Sequence, residues 1–271
     1  VKLGIGSYAY AWSIGVPGYP APSQPMDALG LVRRAAHYGV HLVQIADNLP
    51  LDALSESALD ALLTESDRLG VSIEVGTRGI QPNHLRRYLG IAQRCRSPIL
   101  RVVVDTRDHH PSPDEVVSLL NPLLPAFESA GVTLAIENHD RFKVRQLVDI
   151  LYALDSPHVG ICLDTVNSFG ALEDPARVVG ELGPHVVNLH VKDFRVRRVD
   201  HNMGFVVEGT PAGQGMLDLP WLLAALWGQA FNAILELWPA PEPTADATAA
   251  KEDDWVAMSI PYLRQFVVDG Q

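Results

Sequence analysis

Short apolar runs rich in β-branched residues alternate along this chain with longer runs whose apolar positions recur every three or four residues. The first pattern marks strands covered on both faces, the second helices with one buried face. The predicted strands are KLGIGSY (2–8), HLVQIA (41–46), SIEVG (72–76), ILRVVVD (99–105), TLAIEN (133–138), VGICLD (159–164), VVNLHV (186–191) and AILELW (233–238). Between them the spacing predicts helices over Met26–Tyr38, Ser55–Leu69, His84–Arg94, Pro113–Ala130, Lys143–Leu154, Pro175–Leu182, Leu219–Gln229 and Lys251–Phe266, several closed by a glycine, as at Gly39, Gly70 and Gly131. Strict β-α alternation implies a parallel sheet under helices, because each crossover must return over the sheet face. Eight such units in 271 residues predict a closed (β/α)8 TIM barrel, a single α/β domain spanning 1–271. An open doubly wound sheet is the rival, but GIGSYA after the first strand is not GxGxxG. The most irregular stretches, Ala11–Gln24, Arg195–Met216 and Pro239–Asp246, all follow strands, which in a barrel places them on the catalytic rim.

Four of the strands close on a group able to bind metal. Thr133, Ala135 and Glu137 share one strand face, so a carboxylate ends a row of small inward residues. GICLD ends in Asp164, VVNLH in His190 and AILE in Glu236. In a barrel these are strands five to eight, neighbours whose inward groups converge at the rim. Three carboxylates sharing a site need a positive partner, since like charges drive one another to protonate. A divalent cation meets that need. Oxygen ligands with one imidazole suit Mn²⁺, Mg²⁺ or Co²⁺, with Zn²⁺ as a further candidate, and leave positions open for substrate oxygens.

Composition narrows the function classes. A hydrophobic content of 47% is enough for one barrel-sized core, and the formal net charge of −11 opposes binding to nucleic acid, whose affinity comes from cationic side chains. No apolar run approaches the roughly 20 residues of a spanning helix, so no membrane partner is expected. Two cysteines, Cys95 and Cys162, both within apolar patterns, fit a reducing compartment, and the cytoplasm is the expected location.

The runs IENHD (136–140), CLDTVNS (162–168), NLHVKDF (188–194), GTPAGQGMLD (209–218) and LELW (235–238) resemble the xylose isomerase-like TIM barrel, or sugar phosphate isomerase/epimerase, superfamily. The resemblance covers the whole chain, and the order Glu, Asp, His, Glu on strands five to eight is its most specific part. It implies one divalent metal, often Mn²⁺, held by Glu137, Asp164, His190 and Glu236, with Glu137 and Glu236 also serving as the proton-transfer pair. Carbohydrate metabolism follows as the setting, with a small sugar, sugar phosphate or sugar acid as substrate and a homo-oligomer as an assembly seen among relatives. An isomerase or epimerase moves a proton beside a carbonyl through a metal-stabilised enediolate, which carboxylates on both sides can serve. A metal-dependent lyase, dehydratase or hydrolase on a keto sugar is the alternative, and a noncatalytic sugar-binding barrel a third. One departure matters: many epimerases of the superfamily carry histidine where this chain has Asn167, and an amide cannot act as an acid.

Around the quartet, Lys192 follows His190 by two residues and is expected to face the substrate, or else to pair with Asp193. Arg195 is expected to reach a substrate oxygen, Tyr8 to pack on a sugar face, and His139 to lie beside the first ligand together with Asn138. Glu74 and Arg101 fall on the inward face and are expected to form a structural ion pair or network.

Overall fold

The chain begins its repeat with four extended residues, Leu3–Gly6 (β1), and continues through α1 (Ala11–Ile14), α2 (Ala28–His37), β2 (Leu42–Ile45), α3 (Glu56–Leu69), β3 (Ser72–Arg78), α4 (Pro82–Arg94) and β4 (Ile99–Val103). There follow α5 (Pro113–Leu120), α6 (Leu124–Ala130), β5 (Thr133–Glu137), α7 (Val144–Leu154), β6 (Val159–Asp164), α8 (Pro175–Leu182), β7 (Val186–Val191), β8 (Asp193–Arg198), β9 (Phe205–Thr210), α9 (Leu219–Ala225), β10 (Ala233–Leu235) and α10 (Ala245–Leu263). The structure, a computed structural model, describes residues 1–267. Among the described residues, eight parallel strands close into a barrel in the order β1-β10-β7-β6-β5-β4-β3-β2. The expected single-domain TIM barrel is the observed fold.

Local chemistry sets the element ends. Ser55 caps α3 by accepting from Ala58 N at 3.2 Å, and Gly70 closes it with φ 66°, a conformation open to glycine without strain. Asp174 caps α8 in the same way ahead of Pro175. The single helix expected over Pro113–Ala130 is instead α5 and α6 joined by one tight turn, because Pro122 and Pro125 have no N–H to continue the ladder. The last helix starts at Ala245, earlier than its expected start at Lys251, with Thr244 accepting from Ala247 N.

Outward side chains of the strands, such as Val43, Val75, Leu100, Leu134 and Leu189, pack against the helices in one apolar shell. The inside of the barrel is different. There Gln44, Glu74, Asn188 and His190 are buried and joined by hydrogen bonds, and the buried Arg101 bonds Glu137. The stretch expected to be an irregular loop after β7 contains the antiparallel pair β8–β9, with Val196 opposite Val207 and Arg198 opposite Phe205. Asp193 ties this hairpin down: its carboxylate accepts from the backbone N–H of Phe194, Gly213, Gly215 and Leu217 at 2.7 to 3.0 Å. Near β1, Glu252 of α10 accepts from Trp12 N and from Ser13 N and Oγ, pinning the segment after the strand to the last helix.

Candidate active site

Register places the ligand-type residues at one level. Glu137 pairs with Cys162 and Asp164 with His190 across adjacent strands, and Glu236 follows β10 with its N–H donating to Val191 O at 3.2 Å. All four are buried, at 2% exposure or less. His190 Nδ1 lies 3.4 Å from Glu236 Oε1, 3.5 Å from Glu137 Oε2 and 3.9 Å from Asp164 Oδ2. Space for Glu236 comes from Gly6, where a Cβ would stand 3.0 Å from Glu236 Cγ.

The imidazole is oriented from below. Gln44 Nε2 donates to Glu74 Oε2 at 3.1 Å and to Asn188 Oδ1 at 2.9 Å, so its carbonyl oxygen must face His190, 2.6 Å from Nε2. His190 therefore carries its proton on Nε2 and turns a bare Nδ1 toward the carboxylates. Glu74 is satisfied by amides of Gln44, Asn188 and Asn232, although burial pushes its carboxyl up. Of the expected ion pair or network with Arg101, the pair is not formed: Glu74 belongs to this amide network, and Arg101 to one with Glu137 and Asp47.

Glu137 is engaged at both oxygens. Arg101 Nε donates to Oε2, and Asn167 Nδ2 donates to Oε1 at 2.7 Å. Burial opposes its charge, but the Arg101 guanidinium, with the Lys192 ammonium adding, outweighs that and holds the carboxyl below its usual range. Asp164 Oδ1 accepts from the N–H groups of Val166 and Asn167, while Asn138 fixes the strand end by bonding both the N–H and the C=O of Asp164. Lys192 does not pair with Asp193. Its Nζ sits 2.8 Å from Asp164 Oδ2 and 2.9 Å from Glu236 Oε2; burial disfavours the ammonium, and the two carboxylates more than offset it, raising its pKa.

On the opposite side of the mouth, Asp47 follows β2 and is held by Arg101 Nη1 at 3.0 Å, Arg78 Nε at 2.9 Å and the Tyr8 hydroxyl at 3.2 Å. Burial would raise its carboxyl, yet the two guanidiniums bring it below the usual range. Burial, with Asp47 adding, pushes the Tyr8 phenol up to about 12. Tyr8 thus stands in the site through its hydroxyl. His139 is at the rim but turned to Asp140 Oδ1 at 2.6 Å. Arg195, expected to reach a substrate oxygen, is half exposed on β8, with Nε 2.7 Å from Glu208 Oε1 on β9. Asp47, Arg78, Gln44 and Asn188 were not anticipated. The available signal was Gln44 and Asn188 themselves, single polar residues inside otherwise apolar strands, at inward positions.

The donor set fits a divalent cation. His190 Nδ1 and Glu236 Oε1 are buried without a hydrogen-bond partner and face each other, and Asp164, His190 and Glu236 can each turn a ligand atom to one point. Cys162, behind Glu137, donates weakly to Asn188 Oδ1 at 3.4 Å.

The chain is 34% identical over 267 residues to the 3-oxo-isoapionate decarboxylase of Pectobacterium atrosepticum, covering 97% of this chain and 95% of that protein. Its fold is similar to that of D-psicose 3-epimerase from Clostridium cellulolyticum, solved with D-tagatose, at a TM-score of 0.72, 15% identity and 99% of both chains. It is similar also to a xylose isomerase-like TIM barrel protein from Mycobacterium smegmatis in complex with magnesium, at a TM-score of 0.71, 14% identity and 97% of both chains. The model of the xylose isomerase-like TIM barrel family matches residues 32–257, and the chain belongs to that family.

Proposed function

We propose that this protein is a metal-dependent lyase that removes CO2 from a sugar-derived 3-oxo acid. The observation that carries the reading is the state of Glu137. An isomerase needs a carboxylate free to take a proton from carbon and return it, whereas both Glu137 oxygens are bonded, one to a guanidinium, and the group is a weak base. Loss of CO2 needs no such base. The C1–C2 bond breaks, its electron pair moves toward the 3-oxo oxygen, CO2 departs, and C2 then takes one proton. The likeness to a 3-oxo-isoapionate decarboxylase supports this chemistry over the isomerase expectation.

Glu137, Asp164, His190 and Glu236 are the residues that would hold the cation, Mn²⁺ by family habit, and a bound cation supplies Lewis-acid stabilisation of charge developing on oxygen. The protein's own groups do the rest. Lys192 presents an ammonium where Asp164 and Glu236 meet and offsets the same developing charge. Asn167 and Arg101 keep Glu137 ionised and fixed, and Gln44 keeps His190 Nδ1 free of a proton.

An isomerase or epimerase stands second, supported by Glu236, whose Oε1 carries no hydrogen bond and could act as a single base. Incubation with 3-oxo-isoapionate and Mn²⁺ in D2O separates the two. One CO2 per substrate, with one deuteron added at the neighbouring carbon, is the expected result. Solvent deuterium in a product of unchanged carbon count would instead establish the isomerase, and neither outcome with any 3-oxo acid or ketose would remove both.

A further inference from the structure

We infer that Arg78, backed by Arg101 and Tyr8, is the subsite that receives the carboxylate of an acidic substrate; this rests on the reading of the substrate as a sugar-derived acid. The first ground is the use each guanidinium makes of its donors. Arg78 spends Nε on Asp47 and a long 3.4 Å contact from Nη1 on Asp105 O, and its Nη2 has no hydrogen-bond partner among the described residues. Arg101 spends Nε on Glu137 and Nη1 on Asp47, and its Nη2 is likewise uncommitted among the described residues. Arg101 is 3% exposed at its side chain while Arg78, ending β3 at the rim, is 34% exposed. Arg78 is therefore the member of the pair that a molecule entering the mouth reaches.

The second ground is charge. Two ion-pair clusters line the mouth, Arg78, Asp47, Arg101 and Glu137 in one and Lys192, Asp164 and Glu236 in the other, so that four carboxylates stand against three fixed cations. A divalent cation among the ligands converts a deficit of one positive charge into an excess of one. A single carboxylate on the substrate restores balance, and a neutral sugar does not. Position gives the third ground. The ligand residues occupy β5, β6, β7 and the end of β10, and the guanidiniums occupy β3 and β4 across the mouth. An acid whose carbonyl oxygens face the ligand side turns its carboxylate toward Arg78, with Tyr8, hydrogen-bonded to Asp47, beside it.

The test uses a sugar acid that has no 3-oxo group to react. D-erythronate and neutral erythritol are titrated into the Mn²⁺-loaded protein and into Arg78→Gln and Arg78→Lys variants by calorimetry. Wild type is expected to bind the acid more tightly. Arg78→Gln should weaken acid binding by about 10- to 100-fold, the range for a lost hydrogen bond to a charged group, and leave erythritol within about 2-fold. Arg78→Lys should fall between, since it keeps charge but not the two-pronged fork. Equal affinity of wild type for acid and alditol, unchanged acid binding in Arg78→Gln, or equal loss for both ligands would each overturn the subsite. Acid discrimination that depends on Arg78, in a protein that releases no CO2 from any 3-oxo acid, would uphold the subsite and sink only the decarboxylase reading.

Discussion

On the β5, β6, β7 and β10 side of the mouth three carboxylates and an imidazole converge with Lys192 between two of them, whereas on the β2, β3 and β4 side a single carboxylate, Asp47, is held by two guanidiniums. The first half is buried and has anionic groups in excess, while the second opens toward solvent at Arg78 and has cationic ones in excess. Arg101 joins them, with Nε on Glu137 and Nη1 on Asp47. The difference teaches that the ligand cluster is not self-sufficient. One of its members, Glu137, is kept ionised by a cation that belongs to the other half.

The largest effect should come from breaking the acidic half. His190→Ala or Glu236→Gln is expected to lower kcat/KM on the order of 10⁴-fold, the several kcal/mol that a bound cation contributes to charge stabilisation, with metal per chain by elemental analysis falling well below one. Cutting the bridge comes next. Arg101→Met leaves Glu137 and Asp47 buried without their shared cation, and about 3–5 kcal/mol should be lost in urea unfolding.

Glu252 sharpens the comparison from outside both halves, as a buried carboxylate without a cation in contact among the described residues. Burial pushes its carboxyl up to about 7, with the hydrogen bonds of Ser13 and Trp12 resisting. The folded state then holds a proton that the unfolded chain releases near 4.5, so this group's contribution is full below that pH and is lost as pH rises through about 7. The unfolding free energy should fall by on the order of 3 kcal/mol across that window, and Glu252→Gln should flatten the slope. A smaller change is expected from Gln44→Leu, which removes the acceptor that sets the His190 tautomer: metal affinity should drop about 10- to 100-fold, and ¹⁵N shifts of the imidazole should show mixed protonation.

These expectations also show what the linear sequence displays. The barrel was readable because each strand is a short apolar run and each helix has a turn or cap at its end, and the four ligand-type residues were readable because each closes such a run. The hairpin was not, since DFRVRR alternates charges on an exposed strand and has the composition of a loop. Asp47 and Arg78 were missed for another reason. Nothing in ADN or TRG is unusual until closure of the barrel brings residues 47, 78 and 101 together. Lys192 had a neighbour of opposite charge in Asp193, but backbone N–H groups claim that carboxylate, and the lysine turns to Asp164 and Glu236.

Closure between β1 and β10 has a consequence for how the protein is made. Leu3 pairs with Ala233, Lys2 N donates to Asn232 Oδ1 at 3.0 Å, and Gly6 makes room for Glu236. During synthesis β1 leaves the ribosome before the other barrel strands and keeps one edge unpaired until more than two hundred later residues have been added, and the same late segment carries Glu236, the last of the quartet. Nascent chains stalled before residue 233 thus lack both the seam and the complete quartet.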